Sequence, residues 1–492
     1  MMNDIGESYT SIVALTPSNK AEGETPAVAE TDEQRGVPKW NLQQGHKLRA
    51  LLRKSLEEKL MWIRQLAERD HTVQLNTLWH HVYDADRLAE TFYKLRKDGA
   101  VGVDKVDWAS YAANLEENLR DLSARLRRGA YRPPPVRRVF IPKADGSSRP
   151  LGITTLEDKL VQRVTADVLS VVYEPMFHDF SYGFRPNRGA HDALDQLAVA
   201  LEMRKVSWVL DMDIRAFFDT IDHEWLIKFI EHRIADTRVI RHIKKWLWAG
   251  VLENGVVQVS KAGTPQGGSI SPLLANIYLH YALDNWAACW GRNQAYGYVK
   301  IIRYADDVVV CFQYRKDAER FQKEVRERLA KFHLELHPEK TRLLEFGRFA
   351  AADREKRGEK KPETFNFLGF THACSKNRNG RFCVQRNSQR KKVQAKLKEI
   401  KQTLQRRINF PLPDIGKWLA QVLRGHYEYY GVPRNIRCLN NFRQALVKLW
   451  KKTQSRRSHK AYVIWKRMGP IANKWLPYPT ITQPYPQQRV TV

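Results

Sequence analysis

The sequence predicts an α+β chain, an antiparallel sheet interleaved with helices, followed by a region that is helical throughout. Three observations carry this. The run Ile301-Ile302-Arg303-Tyr304-Ala305-Asp306-Asp307-Val308-Val309-Val310-Cys311-Phe312 sets two β-prone segments on either side of a tight turn, the pattern of a hairpin. Strand-like runs (Val136 to Ile141, Arg149 to Ile153, Trp208 to Ile214) alternate with helix-periodic ones (Leu156 to Val172, His191 to Met203). From Thr371 onward the pattern is helical and strongly basic.

The hairpin tip carries the chemistry of that pattern. Asp306 and Asp307 are adjacent and repel each other, and a divalent cation shared with a third carboxylate would make them tolerable. Asp213, at the end of the apolar strand Trp208 to Ile214, is the candidate third. Three aspartates gathered from two strands form the two-metal arrangement for phosphoryl transfer. An isolated Asp-Asp is also an ordinary surface turn, so the weight rests on the neighbouring motifs.

Composition narrows the class. The 492 residues suggest two to four domains, and 43% hydrophobic content is ample for a core. A net charge of +29 exceeds what solubility needs and points to a polyanionic partner. The five cysteines form no C-x-x-C pair, which argues against a zinc site or a disulfide framework and fits a reducing compartment. His372, Cys374 and Cys383 lie close in sequence but lack a fourth ligand at the usual spacing. No apolar run reaches the ~18 residues of a membrane span, and the N-terminus has neither a signal core nor an Arg-rich transit pattern.

In chain order, residues 1–43 are rich in Ser, Thr, Glu, Ala and Pro and are expected to be disordered. Residues 44–130 read as charged amphipathic helices broken near Gly99 to Asp107. Tyr131-Arg132-Pro133-Pro134-Pro135 is an extended connector. The strand pair that follows carries Lys143 and Arg149, two cations able to clamp a triphosphate, or simply solvated charges. Ser181 to Arg188 interleaves aromatics with Arg185 and Arg188, suited to stacking and phosphate contact. Phe218, five residues past Asp213, is placed to exclude a ribose 2′-hydroxyl, or else packs in the core. Gly263 to Ser269 is a Gly-rich loop opening a helix from Ser271 to Trp286; it is not a Walker loop, lacking the Gly-Lys-Ser/Thr end. Asp317 to Phe332 reads as a charged helix, and Lys340 near the next turn could protonate a leaving pyrophosphate or bridge on the surface. Phe346 to Glu363 reads as a loop, and Phe365 to Phe370 as a short strand bent at Gly369.

The last 122 residues hold 27 Lys and Arg against three acids, +24 of the chain's +29. The stretches Arg386 to Phe410 and Arg443 to Arg467 carry nine cations each, with one acid in the first and none in the second. A solvated helix face usually mixes signs, whereas a face of one sign repels itself unless phosphates offset it. Lys391, Lys392, Arg406, Arg407, Lys451, Lys452, Arg456 and Arg457 are the candidate RNA contacts.

Taken together, the segments from about 75 to 480 resemble group II intron-encoded reverse transcriptases, also called maturases. Ile141-Pro142-Lys143 through Ile153 and Tyr182-Gly183-Phe184-Arg185-Pro186 resemble fingers blocks. Asp213 to Phe218, Thr264-Pro265-Gln266-Gly267-Gly268 and Tyr304-Ala305-Asp306-Asp307 resemble the palm motifs, and Lys340 falls in the fourth. Phe367-Leu368-Gly369-Phe370 resembles a primer grip, and Leu423 to Gly431 the maturase X domain. The resemblance implies a right-hand polymerase with fingers and palm, within 131–370, followed by an α-helical thumb or X domain over 371–475 and a Pro-rich tail over 476–492. It implies two Mg²⁺ on Asp213, Asp306 and Asp307, catalysis with Lys340, and nucleotide contacts from Lys143, Arg149, Phe218, Gln266 and Gly267.

The partners implied are intron RNA, an RNA template with DNA primer, target DNA and dNTPs, in a bacterial cytoplasm near the nucleoid rather than an organelle; a homodimer is left open. The DNA-binding segment and HNH endonuclease that often follow in the family have no counterpart before Val492, so the expectation is that a mobile intron obtains its primer another way, for example at a replication fork. Rival readings are a relative domesticated for phage defence or CRISPR adaptation, a non-catalytic splicing cofactor, and an RNA-dependent RNA polymerase. The last usually has Gly before its aspartate pair and a polar residue at the Phe218 position.

Overall fold

The structure, a computed structural model, describes residues 58, 60–142, 148–253, 256–258, 263, 267–457 and 462–490. The N-terminal segment read as disordered lies outside them. The strands are β1 (Val136–Pro142), β2 (Ser148–Ile153), β3 (Trp208–Asp213), β4 (Val251–Glu253), β5 (Val256–Gln258), β6 (Val299–Tyr304), β7 (Asp307–Phe312), β8 (Arg342–Glu345), β9 (Phe365–Phe367), β10 (Phe370–Lys376) and β11 (Phe382–Ser388). Helix and sheet are mixed, as the α+β expectation has it. Two compact units form from non-contiguous stretches: residues up to 141 with 150–178 and 216–284, and residues 142–149, 179–215 and 285–492.

The first unit holds a sheet of order β2-β1-β4-β5, with β1 and β4 parallel. Its main helix, α1 (Leu156–Tyr173), starts where Thr155 caps the backbone of Asp158 and buries Leu160, Val164 and Val168. Buried carboxylates tie its loops to its helices. Asp236 accepts from the backbone nitrogens of Leu78 and Trp79, each at 2.8 Å. Asp158, 2% exposed, accepts from Trp246 Nε1 at 2.7 Å, Gln162 Nε2 at 2.8 Å and Tyr131 Oη at 3.1 Å.

The second unit is built on the sheet β6-β7-β3-β8. β3 is central, antiparallel to β7 on one side and β8 on the other. The unbroken apolar run of β7 is buried from Val308 to Phe312, as both faces of the strand are covered. Helix α2 (Ala190–Met203) sits against this sheet, and Leu194, Leu197, Val209, Ile302 and Val309 pack with Phe346, Phe365 and Phe370 in one core. A second sheet, β11-β10-β9, is antiparallel throughout. After it come α3 (Arg390–Arg406), α4 (Leu412–Tyr430), α5 (Ile436–Gln454) and α6 (Trp465–Trp475), with their own core around Leu404, Leu419, Leu423, Phe442, Leu446, Trp450 and Met468.

Several boundaries differ from the sequence expectation. The bend at Gly369 is a complete reversal: Leu368 and Gly369 both have positive φ, +47° and +84°, and turn β9 into β10 as a hairpin. The stretch 346–363 contains a helix, Ala350–Lys356. The basic stretch 443–467 is split between α5 and α6, and α3 begins only after β11. The extended tail closes with a short helix, Pro486–Arg489, whose Arg489 lies 3.5 Å from Asp195 of α2. His372 is fully buried and stacked on Phe365 at 4.8 Å, a core ring. Among the described residues no helix is long and apolar enough to cross a membrane.

Candidate active site

The register of the central sheet decides which carboxylates meet. Asp213, the last residue of β3, is the direct partner of Asp307, the first of β7. The segment after Phe332 extends β3's neighbourhood: the Arg215 backbone nitrogen donates to the Glu335 carbonyl and the His337 nitrogen to the Asp213 carbonyl, both at 2.8 Å. That pairing delivers Lys340, whose Nζ lies 3.0 Å from Asp213 Oδ2.

Asp306 sits in the two-residue turn between β6 and β7, beside Ala305, whose φ is +57°. Three contacts hold this strained turn. Arg303, fully buried in β6, donates from Nη1 to the Ala305 carbonyl at 3.0 Å and from Nη2 to Ser181 Oγ at 2.7 Å. The loop before α2 runs parallel to β6, with the Tyr182 nitrogen donating to the Arg303 carbonyl at 2.9 Å and the Arg303 nitrogen to the Phe180 carbonyl at 2.8 Å. Gly183 then lies so close that a Cβ there would come within 2.4 Å of the Ala305 nitrogen.

Negative charge is crowded here. Enclosure by neighbouring atoms pushes the Asp307 carboxyl up to about 6; Asp306 and Asp213 add repulsion, while Lys392 and Lys340 oppose it. Asp307 keeps solvent access at the strand end, so water screens much of that effect. Asp211, two residues before Asp213 and therefore on the same face of β3, is half-buried. Burial pushes its carboxyl up to about 7, against the pull of Arg342 at 3.8 Å and with repulsion from Asp307 and Asp213. Sequence reasoning passed over Asp211 and Arg303. The signals were there: alternation puts Asp211 on the Asp213 face, and a lone arginine inside an apolar β run needs buried partners.

Phe218 is half-buried, its ring edge-on to Phe217 at 5.4 Å. Gly267 has φ +111°, and a Cβ on it would stand 2.4 Å from the Gly152 carbonyl of β2, so glycine is required there. Lys143 and Gln266 lie outside the described residues, as does the side chain of Arg149. Arg185 is buried and donates to the Ser181 carbonyl at 2.8 Å, serving its own loop's backbone rather than standing open to a phosphate. Arg188 pairs with Asp179 at 2.8 Å. Lys391, Lys392, Arg406, Lys452, Arg456 and Arg457 are exposed. Arg407 lies over the Trp418 ring and Lys451 over those of Tyr462 and Trp465. The positive charge of Lys392 also acts on the Asp307 carboxyl.

A family described as reverse transcriptase (RNA-dependent DNA polymerase) matches residues 141–372, which enclose Asp213, Phe218, Asp306, Asp307 and Lys340. The chain carries a reverse transcriptase domain, and proteins encoded by group II introns are among its relatives. The chain is 45% identical over 166 residues to the group II intron-encoded protein LtrA of Lactococcus lactis subsp. cremoris, covering 34% of this chain and 27% of LtrA. It is 37% identical over 220 residues to protein YkfC of Escherichia coli K12, 44% of this chain and 58% of YkfC. It is 44% identical over 146 residues to a 91 kDa protein in the cob intron of Schizosaccharomyces pombe, 30% and 18% of the two chains. These matches thus span between about a fifth and three fifths of each relative's length. The family expected from the motifs is the one found.

The reverse transcriptase domain's donor set is all carboxylate, which suits hard divalent cations bound through oxygen. The repulsion that Asp306 and Asp213 add to the effect of burial at Asp307 is what such a cation would relieve. Among the described residues no three His, Cys, Asp or Glu side chains are drawn together as a ready ligand shell. Asp213 and Asp307 face each other across the ladder, Asp306 stands on the adjoining turn, and Lys340 supplies positive charge to Asp213.

Proposed function

We propose that this chain is an RNA-directed DNA polymerase encoded by a group II intron, which binds its intron RNA to assist splicing and copies it into cDNA for retrohoming. The observation that carries the reading is the Asp213–Asp307 pair with Lys340 against it, inside a reverse transcriptase domain. In this reading β3 and β6 to β8 are the palm, β1 and β2 belong to the fingers, and α3 to α6 are the thumb or X domain.

Asp213, Asp306 and Asp307 would hold two Mg²⁺, which when bound lower the pKa of the primer 3′-hydroxyl and offset charge on the leaving pyrophosphate. Lys340 Nζ offsets the charge of Asp213 before substrate arrives and would pass a proton to a pyrophosphate oxygen as it leaves. Lys143 and Arg149 neutralise the triphosphate, and the backbone at Gln266 and Gly267 lines the pairing nucleotide. Phe218 fills the space a 2′-hydroxyl would need. Arg303 and Gly183 position the turn that bears Asp306, and positioning is the protein's main contribution to phosphoryl transfer. The exposed cations of α3 and α5 grip folded intron RNA through its phosphates, and binding that favours the splicing-competent fold shifts its population.

Asp306→Ala, assayed for extension of a DNA primer on an RNA template with Mg²⁺, tests the reading. Loss of synthesis with intact RNA binding is expected, and retained synthesis would refute the metal assignment.

A further inference from the structure

A cavity of about 480 Å³ opens between α3 and α4, within the size range of small-ligand sites. Its walls come in pairs one helical turn apart: Lys392 and Lys396 from α3, Gln421 with Gly425 and His426 with Tyr430 from α4. We propose that this cavity takes one unpaired nucleotide of bound RNA, its phosphate on Lys392 and Lys396 and its base against His426 and Tyr430. This rests on the RNA-binding reading above and adds to it a single-nucleotide subsite.

Gly425 is the first argument. Glycine inside a helix costs about 1 kcal/mol relative to alanine, so an interior glycine needs a reason. In the same helix Gly416 has one, because a Cβ there would stand 2.6 Å from the Trp475 ring. A Cβ on Gly425 would meet nothing within 4 Å. Packing does not ask for glycine at 425; what it leaves is open space in the cavity wall.

His426 is the second. Its ring is stacked on Phe442 at 3.8 Å and 16°, and lies 4.6 Å from Tyr430. Its Nε2 is buried without a hydrogen-bond partner. Burial, aided by Lys396, holds the imidazole down to about 4, so it is neutral at physiological pH. A fixed, neutral ring beside Tyr430 gives an uncharged base an aromatic wall to pack on.

The third is charge. Lys392 is exposed on the rim, and Lys396, though paired with Glu399 at 2.8 Å, is itself solvent-accessible. Two ammonium groups one turn apart select an anion, and a flat polar-edged body beside that anion is a nucleotide. Bases in a duplex are stacked and paired, so the occupant is an unpaired one.

Gly425→Leu fills the cavity from a position where its Cβ clashes with nothing. Gly469→Leu, in α6, repeats the change at a second helical glycine with open space and is the control. Binding of a short fluorescein-labelled single-stranded RNA, of the same strand as DNA, and of the RNA annealed to its complement is measured by anisotropy on the full chain. The expected result is a loss of about tenfold for the single-stranded RNA with Gly425→Leu, the size of one stacked base, and little change with Gly469→Leu or for the duplex. Lys396→Gln removes one cavity-wall cation that is solvent-accessible; it is expected to keep the melting temperature while weakening single-stranded RNA binding.

Unchanged binding in both Gly425→Leu and Lys396→Gln overturns the subsite. Equal losses for RNA and DNA, or for single strand and duplex, overturn its assignment to unpaired RNA. A wild-type chain that binds no RNA at all overturns the RNA-binding reading with it, an outcome distinct from wild-type binding that the variants leave untouched.

Discussion

Lys340 Nζ and Asp213 Oδ2 stand 3.0 Å apart although 127 residues separate them in the chain. An ammonium held there offsets the charge of the β3 aspartate, and in the proposed reaction it would give a proton to the departing pyrophosphate. Lys340→Met is expected to slow single-nucleotide addition by about a hundredfold, the usual contribution of a positioned acid, with Lys340→Arg recovering part of it. Rapid-quench rates with saturating nucleotide are the measurement. A normal rate with a lowered melting temperature would make the lysine a structural counter-ion.

Gly183 lies against the turn that carries Asp306. Gly183→Ala would drive its Cβ to 2.4 Å from the Ala305 nitrogen, so the turn must shift. Overpacking of this kind costs about 1–3 kcal/mol. The turn's displacement is expected to cut primer extension far more than it lowers stability. Parallel melting and activity measurements check this, and proportional loss of both would contradict it.

Phe218→Ala opens space five residues past Asp213. Incorporation of ribonucleotides relative to deoxynucleotides is expected to rise by about tenfold to a hundredfold. Competition between the two nucleotide types on one template reads this ratio directly. An unchanged ratio returns Phe218 to the packing it shares with Phe217.

Asp158 gives a pH signature remote from the carboxylate pair. Burial pushes its carboxyl up to about 6, against the hydrogen bonds from Trp246, Tyr131 and Gln162. A raised folded-state pKa means the native state keeps its proton while the unfolded chain has released it. Below about 4 both are protonated; from about 4 to about 6 this residue lowers stability as pH rises, and above that the penalty is constant, on the order of 3 kcal/mol. The difference in denaturant stability between wild type and Asp158→Asn should therefore change across that window and be level above it. A flat difference from pH 4 to 7 would show that Asp158 ionises normally.

Reversing Lys391, Lys452, Arg456 and Arg457 to Glu is expected to weaken intron RNA binding and flatten its salt dependence, by about 0.7–0.9 in the log–log slope for each phosphate no longer neutralised. Lys392 is left out of this set because it also acts on Asp307. Filter binding over a salt series measures the slope. An unaltered slope would move the RNA interface away from α3 and α5.

The elements most legible beforehand were those with a strong local period. The hairpin read across 301–312 is β6 and β7, the strand read at 208–214 is β3, and the helices read from Leu156 and His191 are α1 and α2, because alternation and helical spacing are properties of neighbouring residues. The β9–β10 reversal was missed. It needs a non-glycine residue, Leu368, at φ +47°, which tertiary packing enforces and local preference opposes.

The amino-acid order alone determined the carboxylate turn, the third aspartate on a separate strand, the glycines at 183 and 267, and the excess of positive charge after Thr371. What it left open was which side chains those groups would face. Strand register set Asp213 opposite Asp307 and drew Asp211 into the same field; long-range pairing with Ser181 engaged the buried Arg303; and the meeting of α3 with α4 left a cavity beside Gly425. The reason is physical: a period says which face a residue occupies, while its partner across that face is chosen by chain closure over a hundred residues or more, and only the folded arrangement fixes that choice.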